Sequence, residues 1–422
     1  MRQRWFEEAR FGMFVHYGLY SGAARHEWVQ NYERLSADAY RPYFVNFDPD
    51  LFDAKAIARR AKETGMGYVV LTTKHHEGFC LWGSALTDYD AVTVCGRDLV
   101  REFVDAVRAE GLRVGLYHSL IDWHHPDFTV DGNHPLRGDE AEHARNEGRD
   151  MARYRAYLHG QVRELLTGYG DIDYLFFDFT YPEHRDGWDG KGPEDWDAEG
   201  LLALCRELQP GMLVNDRLGV PADFVTPEQY QPTSPILKDG EPQVWEACQT
   251  INGSWGYHRD NLDQKPAGLL AQMLADSVSM DGNMLLNIGP DGRGAIAPRD
   301  GVVLAELGEW MRLHRGAIVG AGHAGLRPPR EGVYTRRGDR LYLHLFTWPL
   351  GFVHLPDLAG RVSYARLLND GSWLRTTATD PGQQADHMTP AGEDEGTLTV
   401  HLPVQRPDVL IPVIELTLDP SV

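Results

Sequence analysis

The residue of this chain best suited to covalent chemistry is an aspartate placed where an apolar run stops. The stretch Asp171-Ile-Asp-Tyr-Leu-Phe-Phe-Asp178 is mostly apolar and aromatic from 172 to 177 and then ends in a carboxylate. Such a run reads as a strand buried on both faces, as in a parallel sheet. Phe-Thr-Tyr-Pro follows, and proline has no amide with which to prolong a central strand. Asp178 is therefore expected at the carboxyl end of a core strand. In barrels of alternating strands and helices that rim carries the chemistry, and the role predicted for Asp178 is nucleophile. The competing reading is an aspartate that caps the next turn.

Other polar residues end strand candidates in the same way: His16, His75 with His76, His118 and Arg217. A single histidine at a strand end is more often a hydrogen-bonded structural residue than a ligand. Together with Asp178 these make five polar strand tips at one rim, which describe a polar pocket with several donors. Metal-dependent hydrolysis would need several of them on one ion, but HxH and HxxxH spacings are missing. Adjacent residues such as His75 and His76 also point to opposite sides of an extended strand. The chemistry that fits is carbohydrate chemistry, with neutral histidine and arginine donors on hydroxyls and aromatic faces over the ring. Eleven Trp and 18 Tyr supply such faces. Sugar hydrolysis with retention needs a second carboxyl group about 5 Å from the first. The segment after the fifth strand offers Glu228 and Glu246, both expected in a rim loop. Trp245 beside Glu246 would favour a protonated acid, yet Glu246 suits a hydroxyl ligand or a buried structural acid equally well.

The elements that must hold these residues alternate. Strands are expected over 11–16, 68–73, 113–117, 172–177, 212–215 and 283–288. Helices are expected over about 52–63, from Asp98 to Gly111, over 151–165, and over about 195–208, 267–280 and 299–314. Strand then helix, six times over about 300 residues, argues for a parallel sheet; active groups at successive tips argue for an irregular (β/α)8 TIM-like barrel. Residues 123–147 read as a long loop over the rim. After about Gly322 the pattern changes to short strands and regular turns, with a hairpin at Gly338-Asp339. Residues 1–322 are thus assigned to a catalytic barrel and 323–422 to a small C-terminal antiparallel β-sandwich that braces it.

The chain has 422 residues, 42% of them hydrophobic, and a net charge of −21. That charge repels phosphates, so nucleic acid and anionic membrane surfaces are not expected partners. Four cysteines without CxxC spacing suggest neither a zinc knuckle nor a redox pair. Sparse cysteine and an N-terminus without an apolar core lead to the expectation of a cytoplasmic protein. No run is long and apolar enough for a membrane span. A homo-oligomer is compatible with the sequence.

Taken in order, the motifs resemble those of the α-L-fucosidases of glycoside hydrolase family 29. The matching pieces include Arg10-Phe-Gly-Met-Phe-Val-His-Tyr-Gly18, Glu27-Trp28, Thr73-Lys-His-His-Glu-Gly-Phe79, Gly115-Leu-Tyr-His-Ser119, Phe177-Asp178, Val214-Asn-Asp-Arg217, Trp245-Glu-Ala-Cys248, Ser254-Trp-Gly-Tyr257 and Gly282-Asn-Met-Leu-Leu-Asn-Ile-Gly-Pro290. The resemblance spans about residues 5–320. It implies a retaining double displacement without metal or cofactor, acting on a fucosylated oligosaccharide or glycoside. It makes Asp178 the nucleophile, His16, Glu27, Trp28, His75, His76, His118 and Arg217 the fucose pocket, and Trp255 the wall near the sugar's methyl group. The piece Asp223-Phe-Val-Thr-Pro-Glu228 resembles the acid/base surroundings in one branch, which ranks Glu228 first and Glu246 second. Two positions depart from the family: Phe176, often Trp, and His118, often Tyr.

Overall fold

The computed structural model describes residues 2–184, 187–378 and 394–419. Seven parallel strands form the first sheet: β1 (Phe11–Val15), β2 (Tyr68–Lys74), β3 (Arg113–Ser119), β4 (Tyr174–Asp178), β5 (Leu213–Val214), β6 (Glu246–Thr250) and β7 (Asn283–Ile288). Their spatial order is β5-β4-β3-β2-β1-β7-β6. Residues 224–228 close the gap between the two edges. Phe224 bridges Asn215, while Val225 and Glu228 bridge Trp245 and Cys248, all in parallel. The barrel therefore has eight staves, one of them held by single bridges because Pro227 offers no amide.

Period-two alternation fixes which side chains fill the barrel. Phe14, Tyr68, Val70, Tyr117, Tyr174, Phe176, Leu213, Phe224, Cys248 and Leu285 form one interior cluster. Their neighbours Met13, Val15, Val69, Leu71, Leu116, Leu175 and Phe177 pack outward with the helices. Large interior rings need glycine opposite them. A Cβ on Gly12 would lie 2.3 Å from the Tyr68 ring, and one on Gly115 would lie 2.7 Å from Val70. Phe6, on the N-terminal helix Arg4–Ala9, plugs the lower end against Tyr68, Tyr174 and Phe224.

The outer helices start and stop where side-chain chemistry dictates. Asp53, Asp98 and Asp150 accept amide hydrogens at the starts of Ala54–Glu63, Leu99–Ala109 and Met151–Gly168. Leu99, Val100, Phe103, Val104 and Val107 bury one stripe against the sheet. Ala198–Leu208, Ala267–Ser279 and Pro298–His314 complete the layer. The stretch expected as a loop over 123–147 contains the short helix Glu140–Ala144 and a 3-10 turn, Arg145–Gly148. The Asp139 carboxylate accepts from the amides of Ala141 and Glu142 and so starts the former.

C-terminal strands β8 (Gly322–His323), β9 (Gly332–Arg337), β10 (Arg340–Leu345), β11 (Phe352–Leu355), β12 (Val362–Leu367), β13 (Thr376–Ala378), β14 (Leu398–His401) and β15 (Val413–Leu418) make two antiparallel sheets, β8-β9-β10-β15-β12 and β11-β14-β13. Leu343, Leu345, Leu367 and Leu416 of the first share one core with Val353, Leu355, Leu398 and Val400 of the second. Trp310, on the last barrel helix, donates its Nε1 hydrogen to the Ile411 carbonyl and ties the two parts together. Among the described residues no helix is long and apolar enough to cross a membrane.

Candidate active site

Tyr174, Phe176 and Asp178 point inward in succession along β4, so the aspartate emerges at the top of the barrel beneath an opening. The pocket above it is lined by His16, Trp28, His75, His76, Tyr117, Phe176, Phe179, Arg217, Glu228 and Trp255, with Phe14 and Cys248 at its base. Asp178 is held by two donors. Tyr117 Oη donates to Oδ2 at 2.8 Å and Arg217 Nη1 to Oδ1 at 2.8 Å. His76 Nε2 lies 3.9 Å from Oδ2.

Arg217 sits in the turn Asp216–Leu218 that follows β5. Its Nε donates to Thr226 Oγ1 and its Nη2 to the Thr226 carbonyl, which docks it on the eighth stave. The same Nη1 that touches Asp178 also donates to Glu228 Oε2 at 2.6 Å. Burial by itself would lower the guanidinium's pKa, but Asp178 and Glu228 more than offset that and raise it. One nitrogen thus holds both carboxylates, and their facing oxygens can be no further apart than those two contacts laid end to end. That bound matches the about 5–5.5 Å of retaining glycosidases. Glu228 Oε1 accepts from Trp255 Nε1 at 3.1 Å, and the Glu228 side chain remains 41% exposed, within reach of water.

The histidines are neutral acceptors. Burial lowers both His16 and His76 to about 3. Asn287 donates its amide to the Trp255 carbonyl, so its Oδ1 faces His16 Nδ1 at 2.6 Å and the ring must carry its proton there. Ser119 donates its hydroxyl hydrogen to Ile121 O and so accepts from His76 Nδ1 at 2.6 Å. In both rings the Nε2 lone pair is left for a ligand hydroxyl. Sequence spacing suggested that His75 and His76 diverge, but β2 shifts register between Thr72 and Lys74, and a turn from His75 to Gly78 follows. Their ring centroids are 4.1 Å apart on one wall.

Three of the expected residues are placed away from the lining of this pocket. His118 is paired with Phe177 in register, so it faces the helices; its Nδ1 donates to Thr73 Oγ1 at 3.1 Å, and it does not line the pocket. Tyr117, one residue earlier, points inward instead. The alternation Gly115, Tyr117, Ser119 carried that information. Glu246 is in no rim loop: it opens β6 at the bottom of the barrel, fully buried, and accepts from the hydroxyls of Tyr68 and of Tyr174, the latter at 2.6 Å. Burial raises it to about 7. Glu27 lies behind the pocket wall, where its Oε2 accepts from the amides of Trp255 and Gly256 at 3.1 and 2.9 Å. Burial raises Glu27 to about 7 as well.

An eight-stave barrel with a carboxylate pair at its upper rim, neutral acceptors and aromatic walls defines a glycoside hydrolase of the retaining kind. The model of the alpha-L-fucosidase family matches residues 1–315. Tissue alpha-L-fucosidase of Mus musculus is 30% identical over 409 residues, covering 88% of this chain and 85% of its own. The human tissue enzyme is 30% identical over 82% of this chain and 76% of its own. Among solved structures, alpha-L-fucosidase isoenzyme 1 from Paenibacillus thiaminolyticus superposes with a TM-score of 0.91 at 45% identity, covering 99% of both chains. A Bacteroides thetaiotaomicron enzyme trapped as a covalent intermediate with 2-fluoro-fucosyl fluoride gives 0.83 at 28%, over 99% of this chain and 96% of its own. The chain belongs to the alpha-L-fucosidase family, glycoside hydrolase family 29. Its activity is the hydrolysis of terminal α-L-fucosides with retention of configuration.

Proposed function

We propose that Asp178 is the nucleophile and Glu228 the acid/base of this reaction, acting on fucose at the end of an oligosaccharide. Asp178 attacks the anomeric carbon while Glu228 gives its proton to the glycosidic oxygen. The leaving group departs and a covalent fucosyl-enzyme forms. Glu228, now a carboxylate, takes a proton from water, and that water displaces Asp178 to release L-fucose. Arg217 and Tyr117 orient the attacking carboxylate before substrate arrives and so lower the entropic part of the barrier. His16 and His76 accept from ring hydroxyls through Nε2, and His75 joins them on the same wall. Trp28 and Trp255 cover the apolar edges.

The observation that carries this assignment is the single guanidinium nitrogen shared by the two carboxylates. Azide rescue separates the roles. On an activated aryl fucoside, azide should restore turnover to Glu228→Gly and yield the α-fucosyl azide, because Asp178 still forms the fucosyl-enzyme that azide displaces. Rescue of Glu246→Gly with Glu228→Gly unaffected would reverse the assignment.

A further inference from the structure

A second cavity of about 920 Å³ opens beside the fucose pocket. Trp28 and Phe179 line both, which gives a group joined to fucose a way between them into the larger space. Its walls are built from rim segments far apart in sequence: 28–34, 132–138, 179–183 and 188–190. Trp188 lies across Gly132 and against His143, which fixes an indole as part of the wall.

The lip formed by 31–34 and 132–138 carries two arginines. Arg137 is anchored: its Nη1 donates to Asn31 Oδ1 and to the His134 carbonyl, each at 3.1 Å. The Arg34 guanidinium lies over the backbone of Gly138, close enough that a Cβ there would come within 2.8 Å of Nη1. Neither arginine makes an ion pair with a described carboxylate. Burial and the nearness of Arg34 both lower the Arg137 pKa, which puts the two guanidinium groups close enough to repel one another. Two carboxylates also line the cavity, Glu183 and Asp189, and His184 Nδ1 lies 2.9 Å from Asp189 Oδ1.

We propose that this cavity receives the leaving sugar and that Arg34 and Arg137 select leaving groups bearing an anionic substituent, a sulfate ester or a carboxylate. An arginine fork matches the oxygens of either group, and Trp188 with Trp28 supplies faces for the sugar ring that carries it. The inference rests on the assignment of Asp178 and Glu228 to the reaction centre, since those residues decide which side of the fucose pocket the leaving group occupies.

The test uses the full chain and matched acceptors. Fucose joined to N-acetylglucosamine is taken in the linkage cleaved best, with and without a 6-O-sulfate, alongside a third acceptor whose hydroxymethyl is oxidised to a carboxylate. The sulfated or the carboxylated fucoside should show a kcat/KM about tenfold above the neutral one, the size of one charge-assisted contact. Whichever arm shows the gain identifies the anion. In Arg34→Gln the charged-to-neutral ratio should fall to near one, with the change in KM rather than kcat, and in Arg34→Glu it should drop below one. A ratio near one in the unaltered chain for both anions overturns the proposal, as does an Arg34→Gln variant that keeps the ratio. A failed catalytic assignment would look different: Asp178→Asn would still turn over the neutral fucoside.

Discussion

The barrel holds a carboxylate at each end, and the two are dressed differently. At the top, Asp178 is met by a permanent cation and a phenol beneath an opening. At the bottom, Glu246 is met by two phenols, with Phe6 sealing the exit. Both have every hydrogen bond they need. The difference lies in access and in charge. Glu246 sits in a dry cage and resists ionisation, so it is raised to about 7. A raised value in a buried site is often taken as a mark of function; here it belongs to an acid sealed from solvent, and what sets apart the pair proposed to react is its shared arginine and the opening above it.

The sharpest way to break this comparison is substitution at the top. Asp178→Asn should lower kcat by about a thousandfold or more while the thermal midpoint stays close to that of the parent, because the amide keeps the shape and loses the nucleophile. Glu228→Gln should cost about 10²–10⁴-fold on a natural glycoside and much less on an aryl fucoside whose leaving group needs no proton; equal losses on both would contradict an acid role. Tyr117→Phe removes one of the two donors to Asp178 and should cost about tenfold in kcat. Glu246→Gln should leave kcat/KM within about twofold, whereas Glu246→Ala should cost about 2–4 kcal/mol in denaturant titration, since two buried hydroxyls lose their acceptor.

The smallest effect is in pH. Glu246 titrates at about 7 when folded against 4.5 for the free side chain. Between those values the unfolded chain has released this proton and the folded one retains it. Stability therefore falls as pH rises through that window and levels off above it. Glu27 and Glu77, also raised to about 7 by burial, act in the same direction. Glu246→Gln should make the decline between pH 4.5 and 7 shallower without abolishing it. A slope unchanged by that substitution would mean Glu246 is ionised in the folded state.

Much of the top of the barrel was legible because strand physics writes it plainly. An apolar run that ends in a carboxylate and then proline fixed the place of Asp178, and Asn283–Ile288 falls on the residues expected for it. At His118 the same physics acts differently from the expectation, because alternation along β3 sends Tyr117 inward. At His75 and His76 a register shift in β2, invisible in residue types, turns both rings to one side. The eighth stave was hidden for another reason. Residues 224–228 make only isolated bridges and include a proline, so no apolar alternation announces them, and Glu228 was expected in a loop. Val-Trp-Glu-Ala-Cys is too short an apolar run to announce a strand, although Glu246 opens one.

The most direct measurement is covalent trapping. Incubation of the unaltered chain with 2-fluoro-fucosyl fluoride, followed by proteolysis and mass spectrometry of the peptides, should find a single fluorofucosyl adduct on the peptide containing Asp178, with fragment ions placing it on that residue. An adduct on any other carboxylate would contradict the assignment of Asp178 as nucleophile.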